Sequence, residues 1–355
     1  MGENIVDQNT NRTVFTFLSE FHSTWNGQTV VEVCFLSAIF VVGMIGNVMI
    51  LVAILRNTKL RTVTNILVCN LSMADILFAL GIPCIATTRI TRHWVLGEIV
   101  CKLITYVQFV SGISSILTMV MISVDRFISV CLLNKYKMTR RDLTLSLVAT
   151  WVISAAFPIP VAISQTVKTV NSDDQAYKYC GVEWSINFRS DIYLTFMVTF
   201  FFFIPLIVII ILYSRIWLIV KCSNSRAMHG NGRSEQANKK QIRLVKMFAS
   251  IVALFVVMWL PFFILSFLGV FYNQITSTHF TVTLILALAN TCQNPLIYGY
   301  FNRRLRSEFK TMLCTKLFGR SQSSSSYNVQ GTELGSAVRN SSNPNSSGQN
   351  SSTVA

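Results

Sequence analysis

Seven long apolar segments constrain the fold of this sequence more than any other feature does. They lie at residues 33–55, 64–87, 103–132, 143–163, 193–220, 245–271 and 280–300. Each has about the 20 residues that an α-helix needs to cross roughly 30 Å of hydrocarbon. β-Strands in globular proteins are usually far shorter. The pattern therefore predicts an all-α membrane protein, built as a bundle of seven transmembrane helices.

The composition agrees with a chain that is dissolved largely in lipid. Only 13% of the residues are charged and 52% are hydrophobic, whereas about 25% of an ordinary soluble domain is charged. This balance excludes a disordered chain, a secreted disulfide-rich domain and an ordinary cytosolic enzyme. The sequence also lacks a nucleophile elbow, an HExxH zinc motif and a phosphate-binding loop. We therefore expect a protein that is not an enzyme.

The positive charges lie mostly on one side of the predicted membrane. Of the 30 Lys and Arg residues, 23 fall in or beside the loops after the first, third, fifth and seventh segments. Because cytoplasmic loops carry the excess of Lys and Arg, the N-terminus is predicted to be extracellular. These loops abut apolar segments, where positive charge also favours anionic lipid, so the net charge of +15 does not indicate nucleic acid. We expect a multi-pass plasma-membrane protein.

Four regions follow one another along the chain. Residues 1–32 form the predicted extracellular N-terminal segment, 33–300 the seven-helix bundle, 301–314 a short amphipathic helix and 315–355 a disordered cytoplasmic tail. The tail is rich in Ser, Asn and Gly, and such a composition cannot bury an apolar core. In the N-terminal segment, Asn11-Arg12-Thr13 is a sequon, so Asn11 is a predicted glycosylation site.

Polar or otherwise distinctive residues stand in or beside the apolar segments in a fixed order. They read Gly46-Asn47-Val48, Leu71-Ser72-Met73-Ala74-Asp75, Cys101, Asp125-Arg126-Phe127, Trp151, Pro205 with Tyr213, Phe255-Val256-Val257-Met258-Trp259-Leu260-Pro261, and Asn294-Pro295-Leu296-Ile297-Tyr298. In this order the motifs resemble the rhodopsin-like (class A) G-protein-coupled receptors, and the chain looks most similar to their neuropeptide-receptor branch. The resemblance covers about residues 33–314. It implies a receptor that binds an extracellular ligand and activates a heterotrimeric G protein.

Asp75 is the clearest ionisable residue near the centre of an apolar segment. A carboxylate there costs at least about 2.5–3.5 kcal/mol, so it marks a functional site unless hydrogen bonds hold it as a neutral acid. The resemblance implies that Ser115, Asn290 and Asn294 join Asp75 in a sodium pocket beneath Trp259. A set of oxygen ligands suits a hard cation. We therefore expect sodium as an allosteric ligand, and no other cofactor.

Two cysteines fall outside the predicted bilayer, Cys101 at the start of the third segment and Cys180 before the fifth. The extracellular side is oxidising, and the resemblance implies a disulfide between them. Closing a loop of about 80 residues contributes roughly 4.5 kcal/mol in the chain-entropy model. The bond would also tether the loop before the fifth segment over the mouth of the bundle.

The resemblance assigns a second group of residues to G-protein coupling and to the switch that controls it. This group comprises Asp125, Arg126, Tyr213, Tyr298, Ile116, Pro205 and Phe255. The sequence departs from the family pattern at Phe127, where Tyr is usual, and at Met258, where Cys is frequent. It also has Gln241 where some members carry an acid that locks the Arg at rest. The last departure predicts a loosely held resting state.

The ligand class can be inferred from the positions at which other branches of the family bind their ligands. Amine receptors carry an Asp where this chain has Gln108, so the resemblance implies a ligand without an anchoring amine salt bridge. Opsins carry a Schiff-base Lys where it has Leu288, so retinal attachment is excluded. A neutral, partly aromatic pocket is predicted, lined by Gln108, Trp259, Phe262, Phe263 and Ser266; each Phe is equally compatible with ordinary core packing.

The loop before the fifth segment favours a peptide ligand. Its aromatic residues flank Cys180, as in the β-hairpin lid of peptide receptors, which leaves the mouth wide for an extended ligand. The extracellular side carries nine acids against seven bases, a small excess that favours a cationic peptide. A non-amine small molecule or a lipid is the alternative within the family. Internal or inverted repeats are not visible, so a secondary transporter is only a remote alternative.

The region after the seventh segment predicts contacts with the membrane and with regulatory proteins. Residues 301–310 are amphipathic and resemble the eighth helix that lies on the inner membrane lipids. Cys314 follows that helix and is a predicted palmitoylation site, although a free thiol is the alternative. Phosphorylation of the serine run at 323–326 by receptor kinases would create an acidic docking site for arrestin, unless the tail is a plain linker.

Overall fold

The computed structural model describes residues 6–7, 12–13, 27–132, 138–172, 175–184, 190–227, 232–271 and 277–317. Asn11 and the predicted tail beyond Leu317 lie outside these residues, as do the side chains of Gln241, Ser266 and Cys314. The helices are Gln28–Arg56, Thr58–Leu60 (3-10), Val63–Ala79, Ile82–Thr91, Gly97–Cys131, Arg140–Ala156, Ile159–Ser164, Ser190–Val198, Thr199–Phe203 (a π turn), Ile204–Ala227, Gly232–Phe271, Ser277–Phe301 and Arg303–Leu317.

Seven helices among the described residues are long and apolar enough to cross a membrane. These spans, numbered in chain order, are Gln28–Arg56, Val63–Thr91, Gly97–Cys131, Arg140–Ser164, Thr195–Cys222, Ile242–Leu265 and Thr278–Phe301. The predicted all-α bundle of seven helices is confirmed. The first span begins at Gln28 and not at the predicted residue 33. Its polar residues Gln28 and Glu32 are buried against the second span, and hydropathy alone does not predict that such polar residues belong to a membrane span.

Proline breaks the second and fourth spans, and neighbouring helices satisfy the backbone at the fourth-span break. The fourth span divides into two helices on either side of Phe157 and Pro158. The Tyr106 hydroxyl donates to the carbonyl of Ala155 at 2.9 Å, and the Tyr193 hydroxyl donates to the carbonyl of Phe157 at 2.6 Å. Neighbouring helices can satisfy backbone groups in this way, so a membrane helix tolerates such a break.

A hairpin covers the end of the bundle at which Cys101 lies. Its strands, Gln165–Ser172 and Gln175–Val182, are antiparallel, with Val167 opposite Cys180. We call this end the hairpin end, and the other, which carries Arg126, the Arg126 end. A second, very short strand pair joins Val6–Asp7 to Arg12–Thr13.

The interior consists of two main apolar clusters that meet at Trp259. The cluster toward the Arg126 end includes Leu71, Met119 and Tyr298, whereas the cluster toward the hairpin end includes Leu36, Trp94 and others. Trp259 packs against both clusters. Many apolar side chains on the outer faces are exposed, as expected of surfaces that meet lipid.

The amphipathic helix Arg303–Leu317 follows the seventh span after Asn302. Leu305 is fully buried, and Phe309 and Met312 pack against the cluster of the Arg126 end. The Asn57 amide, which follows the first span, donates to Glu308 Oε1 at 2.9 Å. The apolar side of this helix is therefore fixed to the bundle by packing and by one hydrogen bond.

Candidate functional site

Asp75 and the three residues predicted to accompany it are all buried. The Asn294 amide donates to Asp75 Oδ2 at 2.7 Å, which joins the second span to the seventh. Ser115 and Asn290 are 6% and 4% exposed; neither is bonded to the carboxylate among the described residues. The side-chain oxygens of Asn290 and Asn294 are buried without a hydrogen-bond partner there. The unpaired oxygen of Asn294, whose amide is bonded to the Asp75 carboxylate, fits a hard cation.

Close backbone contact fixes the seventh span against the first. The Asn47 amide donates to the carbonyls of Gly43 at 2.9 Å and Thr291 at 2.8 Å. A Cβ at Gly46 would lie 2.5 Å from Cβ of Pro295. These contacts explain why Gly46 and Asn47 stand together in the first span. They also position Asn294, one residue before Pro295, for its bond to Asp75.

Arg126 is held by groups from three spans at its own end of the bundle. Its Nη2 lies 2.5 Å from Asp125 Oδ2, and it also donates to the Thr64 hydroxyl. That hydroxyl in turn donates to Asp125 Oδ2 at 2.7 Å. The Arg126 guanidinium carbon lies 5.8 Å from the ring centroid of Phe248 on the sixth span. Thr64 and Phe248 were not foreseen from the sequence, because neither belongs to a recognisable motif.

Tyr213, Tyr298, Ile116 and Phe255 all belong to or pack against the cluster of the Arg126 end. The Tyr298 ring meets the Phe248 ring edge to face, with centroids 6.2 Å apart. Pro205 is also buried. Tyr213, Tyr298, Ile116 and Phe255 therefore share one apolar cluster, which Trp259 also packs against.

The π turn before Pro205 brings in an aromatic residue that motif reading missed. Phe202 is almost fully buried, and its ring centroid lies 4.3 Å from that of Phe263 and 6.3 Å from that of Phe255. It therefore links the predicted pocket to the predicted switch. The only sequence signal was the run of four Phe residues from 200 to 203, which a lipid-facing helix would carry equally well.

Trp259 is the centre of an aromatic group at the base of the predicted pocket. Its ring centroid lies 5.4 Å from that of Phe78, 5.9 Å from that of Phe262 and 5.7 Å from that of Phe263. Such edge-to-face and tilted pairs are favourable beyond their burial of apolar area. The structure thus brings three of the predicted pocket residues together and adds Phe78 from the second span.

Gln108 points from the third span toward a glycine of the second. A Cβ placed on Gly81 would lie 2.2 Å from Gln108 Nε2 and 2.7 Å from its Cδ. The amide of Gln108 therefore occupies space that any other residue at 81 would fill. The sequence alone did not indicate that Gly81 contributes to the pocket.

The predicted disulfide between Cys101 and Cys180 is formed, with the Cα atoms 5.7 Å apart. The Trp94 backbone N–H donates to the carbonyl of Lys178 at 2.8 Å, and His93 stacks on Tyr177. The second strand of the hairpin is thus attached to the third span and to the loop before it. This fixes the lid at one side of the mouth.

The acids at the hairpin end whose side chains are described are each in an ion pair. Glu98 pairs with Lys102 at 2.7 Å, and Glu183 pairs with Lys168. Glu32 and Arg89 form a buried pair at 2.7 Å. Each of these three acids is neutralised by a neighbouring base. The excess of acids over bases counted from the sequence therefore gives only weak support for a cationic ligand.

Comparisons with known proteins agree with this geometry. A model of the family described as "7 transmembrane receptor (rhodopsin family)" matches residues 46–298. Somatostatin receptor type 4 of Rattus norvegicus is 29% identical over 80% of this chain and 72% of its own length. Somatostatin receptor type 2 of Mus musculus is 30% identical over 77% and 74%, respectively. The crystal structure of squid rhodopsin superposes with a TM-score of 0.71 at 22% identity, covering 86% of this chain and 89% of that one.

Proposed function

Because the chain belongs to the rhodopsin family of seven-transmembrane receptors, we propose that it binds an extracellular peptide and activates a heterotrimeric G protein. It is a receptor and not an enzyme. The N-terminus and the hairpin end face the outside in this proposal, and the Arg126 end meets the G protein. The excess of Lys and Arg in the loops at the Arg126 end supports that orientation.

The hairpin that covers the mouth of the bundle is the main observation in favour of a peptide ligand. The hairpin Gln165–Val182 is held at one side by the disulfide and by the Trp94–Lys178 hydrogen bond. A strand pair fixed in this way stands beside the mouth and can offer backbone and aromatic groups to an extended ligand. Somatostatin receptors, at 29–30% identity, are the relatives that favour the same ligand class. Gln108 supplies a neutral amide in the pocket, so the ligand needs no amine salt bridge there.

Sodium at Asp75 is a further part of the proposal. The site would use the Asp75 carboxylate and the oxygens of Ser115, Asn290 and Asn294. The buried, unpaired oxygens of the two asparagines support it. The ion would bind the resting state better than the active state, and would therefore oppose agonist binding through linkage.

Modifications and regulatory partners complete the proposed function. Asn11 would carry a glycan on the outside, and Cys314 a palmitoyl chain beside the amphipathic helix on the inner leaflet. Receptor kinases would phosphorylate the serine run at 323–326, and arrestin would bind the resulting negative charge. Replacing these four serines with Ala should reduce agonist-driven arrestin recruitment without changing G-protein activation.

The test is a screen with synthetic peptides on cells that express the chain with a promiscuous G-protein reporter. The same cells expressing Arg126→Ala at equal surface level are the control. Activation by a peptide in the wild type, and its loss in the control, is the expected result. Activation by a non-amine small molecule or a lipid, with silence toward all peptides, would favour the alternative ligand class. A monoamine acting at low concentration would contradict the role of Gln108.

A further inference from the structure

The feature of interest is the aromatic ring that faces Arg126 from the sixth span. The Arg126 guanidinium carbon lies 5.8 Å from the Phe248 ring centroid, which is within the distance for a cation–π interaction. Phe248 is 3% exposed and Arg126 is 9% exposed. Because both groups are largely shielded from water, their attraction is stronger than that of a surface pair.

The sixth and seventh spans offer Arg126 no carboxylate. The sequence contains no Asp or Glu anywhere from 236 to 301. Among the side chains that the structure describes, the start of the sixth span carries bases instead, at Arg243 and Lys246. An ion pair across these spans is therefore impossible, and the local charge opposes the approach of the guanidinium. The face of the Phe248 ring carries negative electrostatic potential. In the sixth span, this ring face is the group that contacts the Arg126 guanidinium.

The ring is itself fixed from the seventh span. Tyr298, 1% exposed, packs edge to face against Phe248 at a centroid distance of 6.2 Å. Asp125 and Thr64 bind Nη2 of the same guanidinium. Arg126 thus contacts both an acid on its own span and a ring that depends on the positions of the sixth and seventh spans.

We propose that Phe248 is the positioning residue that holds Arg126 against the sixth span at rest, through the face of its ring. The interaction takes the place of the acid that locks the Arg in other members. It rests on the proposed role of Arg126 in G-protein coupling. When the foot of the sixth span moves away, the ring moves with it, and Arg126 keeps only Asp125 and Thr64 as partners.

The experiment measures ligand-free nucleotide exchange on a heterotrimeric G protein by the full-length receptor in lipid nanodiscs. Phe248→Leu removes the ring at similar volume and should raise exchange roughly five- to thirtyfold, the range given by a lost, largely desolvated cation–π interaction of about 1–2 kcal/mol. Phe200→Leu is the matched control, because Phe200 is half exposed on the fifth span, away from Arg126, and should leave exchange unchanged. Equal amounts of folded receptor are used throughout.

A second series separates the electrostatics of the ring from its shape. Fluorinated phenylalanines introduced at 248 withdraw electron density from the ring face while changing its volume little. Exchange should rise step by step with the number of fluorines, which a purely packing role would not produce. If Phe248→Leu matches the wild type, or if fluorination has no effect, the proposal is wrong. If instead Arg126→Ala exchanges as well as the wild type, the coupling role of Arg126 itself fails, which is a distinct result.

Discussion

At the scale of single residues, Gly81 shows how a small side chain can set the geometry of a binding pocket. Its φ of −72° and ψ of −24° are ordinary helical values, so the backbone does not require glycine. The requirement is spatial, since a Cβ there would lie 2.2 Å from Gln108 Nε2. Gly81 therefore determines where the amide of the predicted ligand-binding residue lies.

Gly81→Ala should displace the Gln108 amide and weaken the agonist found in the peptide screen. The loss should be about 0.5–1.5 kcal/mol, the contribution of one hydrogen bond. Because the displaced atoms are the flexible end of a side chain, the melting temperature should change little. Competition binding on Gly81→Ala, Gln108→Ala and the double variant measures the coupling. Additive losses in the double variant would mean that Gly81 does not act through Gln108.

At the scale of helices, two of the contacts that fix the first span use different kinds of interaction. Against the seventh span, glycines permit close approach, with a Cβ at Gly46 only 2.5–2.6 Å from the Pro295 ring. Against the second span, an ion pair is buried: Arg89 Nε donates to Glu32 Oε2 at 2.7 Å, and Gln28 donates to the other carboxylate oxygen at 2.7 Å. Packing and polar pairing are the main sources of helix association in lipid.

Gly46→Ala should destabilise the receptor by about 1–3 kcal/mol, because the rigid Pro295 ring cannot yield to the added methyl group. Gly112→Ala is the control, since no heavy atom lies within 4 Å of a Cβ at that position. The control should be neutral or slightly stabilising, as Ala is the better helix former. Thermal unfolding of the detergent-solubilised proteins makes the comparison. Equal melting temperatures for the two variants would contradict the close approach of the two spans.

Arg89→Met should be strongly destabilising, by about 3–5 kcal/mol, because it leaves the Glu32 carboxylate buried without its cation. Combining it with Glu32→Leu removes both charges and should recover most of the loss. Surface expression and thermal unfolding of the two single variants and the double variant test this. A double variant no more stable than Arg89→Met would show that the ion pair does not hold the two spans together.

At the scale of the whole molecule, Asp75 and Asn294 join the second and seventh spans directly between the pocket and the Arg126 end. A cation bound there would be sensitive to the relative position of these spans. In the proposed two-state receptor, sodium that binds the resting state better should be coupled thermodynamically to agonist binding and to G-protein binding.

Asp75→Asn should abolish the effect of sodium on agonist affinity. In the wild type, replacing the sodium in the buffer with a large organic cation at constant ionic strength should raise agonist affinity, because the resting state loses its ligand. The measurement is agonist competition binding in the two buffers for both proteins. The same sodium dependence in mutant and wild type would show that the ion acts elsewhere.

The sequence by itself determined the architecture of this receptor. The length and apolar character of the seven segments were sufficient, because a chain in lipid must satisfy its backbone within helices. The ordered motifs identified the family, and the Cys101–Cys180 disulfide followed from it and is confirmed. The helices depend on runs of residues adjacent in sequence, and the disulfide followed from the motifs by which the chain resembles its family.

Only the tertiary structure decided which side chains meet across spans. Glu32 and Arg89 are separated by 57 positions, and hydropathy placed Glu32 outside the first span because its partner was not visible. The contact of Gln108 with Gly81 depends on the break at Leu80 and Gly81, and that of Phe248 with Arg126 depends on the rotation of the sixth helix about its axis. The hydropathy pattern of the sequence predicts that a helix forms. The rotation and tilt of that helix are set by its packing against neighbouring helices.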